Sequence, residues 1–232
     1  LDLSAFTNMV DDLSHRGPDG QGFALVDSAT NQTQHISNLR DTLEQGQVNS
    51  SPFDMALGHR RLSIQDLSEN GRQPMTDIAQ SRIIVYNGEI YNFPELKAEL
   101  VKEGVVFNSN CDTEVILKAY EFYGPQCVKR FNGMWAFIIV DLINGEIFIS
   151  RDRFGIKPLY HVIVDGIIYF ASEANVFKHI PNFDLTPNNS AICKYLRRGC
   201  HEWEKETPFK NIYRFGIASN SMIRLKDFKG QF

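Results

Sequence analysis

Five polar clusters interrupt the apolar pattern of this chain, and their residue types could bind and polarise an amino-acid amide. They are His15-Arg16-Gly17-Pro18-Asp19-Gly20, His59-Arg60-Arg61-Leu62-Ser63-Ile64, Asn87-Gly88-Glu89, Asp112 with Glu114, and Arg151-Asp152-Arg153-Phe154-Gly155. A guanidinium such as Arg61 clamps an α-carboxylate through two parallel hydrogen bonds. A carboxylate such as Asp112 accepts from an α-ammonium. The Asn87 side chain and the Gly88 N–H can face a developing oxyanion, and glycine permits the close approach. The set suits an amide substrate such as glutamine, but it contains no nucleophile. Each cluster also has an ordinary structural reading. The first is a helix end plus a turn, Arg60-Arg61 a solvated strand face, Asp112 an N-cap, and Glu114 a complement to the helix dipole.

The elements that must position these residues alternate between strands and helices. Leu3, Phe6, Val10 and Leu13 predict a helix over 2–14, stopped at Gly17-Pro18. Residues 27–53 are polar and predict a surface excursion, of which a hairpin is one form; 56–64 reads as a strand and 67–74 as a loop. Asn87-Gly88 follows the apolar run Ile83-Ile84-Val85-Tyr86 and predicts a hairpin turn with positive φ at both central residues. Helices follow over 95–103, with Pro94 at its first position, and over 113–123. Strands are predicted over 135–141, 146–152 and 166–171, with turns at Asn144-Gly145 and Asp165-Gly166. A short helix over 188–198 and a final strand pair complete the chain. The pattern is α+β, a layered build of sheets and helices.

The bulk numbers narrow the function classes. At 232 residues, 43% hydrophobic and 22% charged, the chain can build a normal core. A net charge of -4 with no basic stripe argues against a nucleic-acid partner. No apolar run reaches membrane-spanning length. The four cysteines, Cys111, Cys127, Cys193 and Cys200, show no C-x-x-C spacing and read as small buried side chains. With no signal peptide in view, they point to the cytoplasm.

Eight ordered motifs now carry a resemblance. HRGPDGQGF (15–23), GHRRLSIQDLS (58–68), QPM (73–75), YNGEIYN (86–92), CDTEVIL (111–117), FNGMWAF (131–137), RDRFGIKPLY (151–160) and FASE (170–173) resemble the glutaminase domain of glutamine-hydrolysing asparagine synthetases. These are class II amidotransferases of the N-terminal-nucleophile fold. The resemblance implies a four-layer αββα sandwich. It implies a glutamine clamp at Arg61 with backbone contacts near Leu62 and Ile64. It places the oxyanion hole at Asn87 and Gly88, and the α-amino contacts at Glu89 and Asp112. Arg16 and Met134 match segments near the family's ammonia exit, although for Met134 core packing is the plainer reading. The RDRFGIKPLY segment reads as structural, bracing strand ends and a face toward a partner domain. Partners implied are L-glutamine, a C-terminal synthetase domain of the same protein and, as the family often does, a second copy.

Two departures from the family pattern follow. The family's nucleophile is a cysteine at the mature N-terminus, with its own α-amine as general base. Leu1 aligns with the first helix, so the family's opening strand and turn, about a dozen residues, would precede it. The synthetase domain, with its ATP and magnesium, would follow Phe232; no cofactor is expected within 1–232. Residues 1–185 are therefore read as the amidotransferase domain without its first strand and nucleophile, and 186–232 as its C-terminal part leading toward the synthetase domain. The chain reads as a fragment, expected to release no ammonia by itself. A parent amidating another carboxylate, for instance in surface-polysaccharide synthesis, and a non-catalytic glutamine-binding module are the alternatives.

Overall fold

Helix on sheet on sheet on helix is the order of layers in the computed structural model, which describes residues 1–48, 51–62, 71–199 and 205–228. Helix α1 (Leu3–Asp12) begins where the Asp2 carboxylate accepts from the Ala5 N–H at 2.8 Å, an N-cap that satisfies an otherwise orphaned donor. It packs on two three-stranded antiparallel sheets lying side by side. One has the order β2 (Gln32–Ile36), β1 (Gly20–Asp27), β3 (Met55–Arg61); the other has β10 (Tyr213–Arg214), β8 (Tyr160–Val164), β9 (Ile167–Ala171). Leu3 and Val10 join Phe23, Leu25 and Leu39, the last on α2 (Leu39–Glu44). Met9 joins Val162, Val176 and Phe177 instead, so one helix roofs both sheets.

The second sheet layer has five strands in the order β11 (Asn220–Arg224), β7 (Glu146–Arg151), β6 (Gly133–Asp141), β5 (Arg82–Ile90), β4 (Met75–Thr76). Its inner face meets the first layer through Ala24, Val26, Leu57, Ile83 and Val140. Its outer face lies under α3 (Phe93–Lys102) and α4 (Asp112–Tyr123), where Ile84, Tyr86, Ile90, Leu96, Ile116 and Phe137 form the largest cluster. Each such side chain withdrawn from water stabilises the fold by roughly 1.5–3 kcal/mol. Helices α5 (Asn189–Arg198) and α6 (Leu225–Phe228) lie toward the end of the chain. The α+β, four-layer αββα expectation holds. None of the described helices is long and apolar enough to cross a membrane.

Several local expectations are corrected. Asn87-Gly88 is not a turn. Strand β5 runs through it without a break, pairing from Arg82↔Asp141 to Ile90↔Gly133, and neither residue has positive φ. Nine cross-strand rungs outweigh a local turn preference. Strands β1 and β8 carry no strand prediction above. The two terminal strands do not pair with each other: β10 joins β8 and β11 joins β7, so the segment after residue 185 completes both sheet layers. Asp112 is the first helical residue of α4 and Cys111 its N-cap. Asp165-Gly166 does turn as expected, with φ of 48° and 76°. Cys111 and Cys127 are buried and free; Cys193 is exposed, and Cys200 lies outside the described residues.

Candidate active site

Strand β5 organises the site because its two faces and its one open edge carry different chemistry. Side chains alternate along a strand. Ile84, Tyr86 and Ile90 point to the helix layer, while Val85 and Asn87 line the space between the sheets. Gly88 belongs to the helix-facing set but has no room for a side chain. A Cβ there would stand 2.3 Å from the Met134 carbonyl oxygen and 2.5 Å from the Tyr86 ring.

The backbone alternates as well. Odd residues of β5 face β6, as the Tyr91 N–H donating to the Asn132 carbonyl at 2.7 Å shows. Even residues face the β4 side, where the Arg82 carbonyl accepts from Asp77. Strand β4 reaches only Ile83 and Ile84, so beyond it the edge needs other partners. The Tyr86 N–H donates to Gln73 Oε1 at 2.7 Å, and the Ile90 N–H donates to Asp112 Oδ2 at 3.0 Å. The Gly88 N–H, between them, meets no acceptor among the described residues outside the strand ladder. Asn87 Nδ2 is buried and makes no hydrogen bond. Two adjacent donors are thus held without acceptors, the arrangement an oxyanion requires.

Strand β3 faces this pair. Its His59 ring is buried close to the Tyr86 backbone, and its Nδ1 is sealed from water without a partner. Burial pushes the His59 pKa down to about 4, and the nearby Arg61 guanidinium adds to the depression. Arg61 shares the His59 face of the strand, two residues on. The HRGPDG loop braces this strand end: the Asp19 N–H donates to the Arg61 carbonyl at 3.0 Å, and Gly17 packs so closely that a Cβ would lie 2.3 Å from the Arg60 carbonyl carbon. Arg60 turns to the opposite face and reaches Gln21.

Asp112 anchors the far end. Its Oδ2 also accepts from the Tyr86 hydroxyl at 2.9 Å. Burial raises its pKa despite these donors, with the Glu89 charge raising it further. Between the sheets lies a cavity of about 590 Å³, lined by Leu57, His59, Val85, Asn87, Ile138 and Phe170 among others. Strands β3 and β9, each the last in its sheet, both border it.

A family model described as a glutamine amidotransferase domain matches residues 24–231. The chain belongs to the glutamine amidotransferase family. Curated relatives of this amidotransferase domain include a putative glutamine-hydrolysing asparagine synthetase of Methanocaldococcus jannaschii, 40% identical over 69% of the chain and 29% of the relative. An asparagine synthetase of Bacillus subtilis is 35% identical over 78% of the chain and 24% of the relative. The amidotransferase domain therefore spans less than a third of these proteins' lengths. Among solved structures, a B. subtilis glutamine phosphoribosylpyrophosphate amidotransferase superposes with a TM-score of 0.62 at 21% identity, over 76% of this chain and 40% of that one. That likeness shows the fold, the one expected above.

Of the residues singled out from the sequence, Arg61, Asn87, Gly88, Glu89 and Asp112 gather around β5 and its facing strand. Leu62 follows directly and is exposed; Ile64 lies outside the described residues. Met134 pairs with Glu89 on β6, half-buried. Arg16 stands apart, bonded with His15 to Glu173 of the FASE motif at 3.0 and 2.9 Å. Sequence reasoning gave no role to His59 or Gln73. Gln73 carried one available signal, an amide side chain just before a proline that resumes a strand.

Proposed function

We propose that this domain cleaves the side-chain amide of L-glutamine and supplies the ammonia to a synthetase domain of a larger asparagine synthetase. The observation carrying it is the buried, unpaired Asn87 Nδ2 beside the Gly88 N–H, which meets no acceptor among the described residues outside the strand ladder. In this reading those donors stabilise the oxyanion of the attacked amide. Arg61, with the backbone at Leu62 and Ile64, takes the α-carboxylate. Glu89 and Asp112 take the α-ammonium; a carboxylate offers about four acceptor sites, and Asp112 already uses two.

The nucleophile is a cysteine thiolate on a strand entering beside Leu1 and seated between β3 and β9. Leu1 and Asp2 line the same cavity, which supports that path. The sulfur bonds to the amide carbon, ammonia leaves carrying the proton released from the thiol, and water then cleaves the thioester to glutamate. The free α-amine of such a cysteine, titrating near 7.7–8.0, is the base. ATP and magnesium act in the synthetase domain, where aspartate is amidated. Another carboxylate acceptor would leave the glutamine site unchanged, because acceptor choice lies outside it. A non-catalytic module would bind glutamine and release nothing.

Calorimetry with L-glutamine on this chain tests the pocket. Binding that is lost in Arg61→Ala supports the clamp; equal binding in both proteins refutes it. Ammonia assays test the rest. We expect none above background from 1–232, and release from a chain extended at Leu1 by a cysteine-led strand. Binding without release from the extended chain would favour the binding module.

A further inference from the structure

We infer that Gln73 is the positioning residue for the Asn87–Gly88 donor pair, a role that deepens the glutamine-site reading and rests on it for its catalytic meaning. An ordinary sheet would continue β4 along the whole of β5. That would satisfy Tyr86 and would also consume the Gly88 N–H. This protein instead ends the strand at Met75 and hands the next rung to side chains. Gln73 Oε1 takes the Tyr86 N–H, and the buried His59 ring lies beside the Tyr86 backbone. The Tyr86 N–H is satisfied without placing a strand over the residue two positions on. On the other side the Asp112 carboxylate does the same for the Ile90 N–H. The two capped amides lie roughly 13 Å apart along the strand, with the Gly88 amide midway.

Gln73 is itself held at three points. It is buried, and its Nε2 donates to Thr113 Oγ1 at 3.3 Å, on the same helix start as Asp112. Gly22 of β1 admits its backbone: a Cβ at 22 would stand 2.3 Å from the Gln73 carbonyl oxygen. Gly22 pairs with His59 in the sheet register, so the Gln73 backbone packs on the rung of the facing layer that carries His59. The donors on β5 are therefore registered against the strand that carries Arg61.

Residue-resolved NMR of the chain as it exists tests this, with and without L-glutamine. Gln73→Met keeps the volume and removes both polar ends. We expect it to speed Tyr86 amide exchange about tenfold, and to shift the Gly88 amide and Asn87 side-chain amide resonances, with Ile139 and Val140 of β6 unmoved. Gln73→Glu retains the acceptor and should restore the Gly88 resonance increasingly as pH is lowered and the carboxyl becomes neutral. Thr113→Val, which cuts only the Nε2 anchor, should shift the same signals less, and serves if Gln73→Met does not fold. Unmoved Tyr86 and Gly88 signals in a folded Gln73→Met or Thr113→Val overturn the inference even where glutamine binds. The expected shifts with rescue by glutamate support it even if glutamine does not bind, in which case the substrate reading alone fails.

Discussion

The open edge of β5 and the loop after β7 use similar residues to opposite ends. In the loop, Asp152 is fully buried and its carboxylate accepts from the N–H groups of Trp135, Phe154, Ile156 and Lys157 at 2.9–3.2 Å. Arg151 donates to the carbonyls of Lys157, Phe215 and Gly155 at 2.6–2.8 Å. Those polar ends are heavily bonded within the protein, and the segment reads as a brace. At the β5 edge, Asn87 Nδ2 and His59 Nδ1 are buried without partners. A buried polar group left unpaired costs about 1–3 kcal/mol. Such a cost is retained where a ligand supplies the partner. The difference between a brace and a site is therefore in the bonding account, and not in residue type.

Breaking the brace should have the largest effect. Asp152→Ala strands four backbone donors, and we expect about 3–5 kcal/mol lost in urea denaturation; a loss near zero would erase the contrast between the regions. His59 comes next. Its folded pKa of about 4 lies below the unfolded value of 6.5. Between these values the unfolded chain binds more protons, so stability is full above pH 6.5 and declines as pH falls toward 4. The decline amounts to at most about 3 kcal/mol, and His59→Gln should flatten it. Asp112, with a raised pKa, contributes in the opposite sense, so the difference between wild type and variant is the quantity to measure. Asn87→Leu sharpens the comparison with the smallest stability change. Removing an unpaired donor should leave stability within about 1 kcal/mol, or raise it, while abolishing any stabilisation of a bound oxyanion analogue.

Some of this was legible in the residues. The apolar run 135–140 became β6, flanked by strands on both sides, and the amphipathic face of 113–123 became α4 under the main sheet. Arg61, Asn87, Gly88 and Asp112 stood out as a set able to hold a zwitterionic amide. Asn87-Gly88 misled, because a turn preference is local and the register with β6 is not. Strand β8 escaped because its signal is short, five residues with half-buried alternation.

The sequence alone determined the α+β class, the helix faces and a set of residue types suited to an amino-acid amide. Tertiary structure decided which polar atoms are already spent. Asp112 turned out to hold Tyr86 and Ile90, and Gln73 to replace a strand, leaving the Gly88 amide without an acceptor among the described residues on that edge. Residue identity sets what a group can donate or accept. Only the packing of β3, β5 and α4 against one another decides whether a partner is within reach.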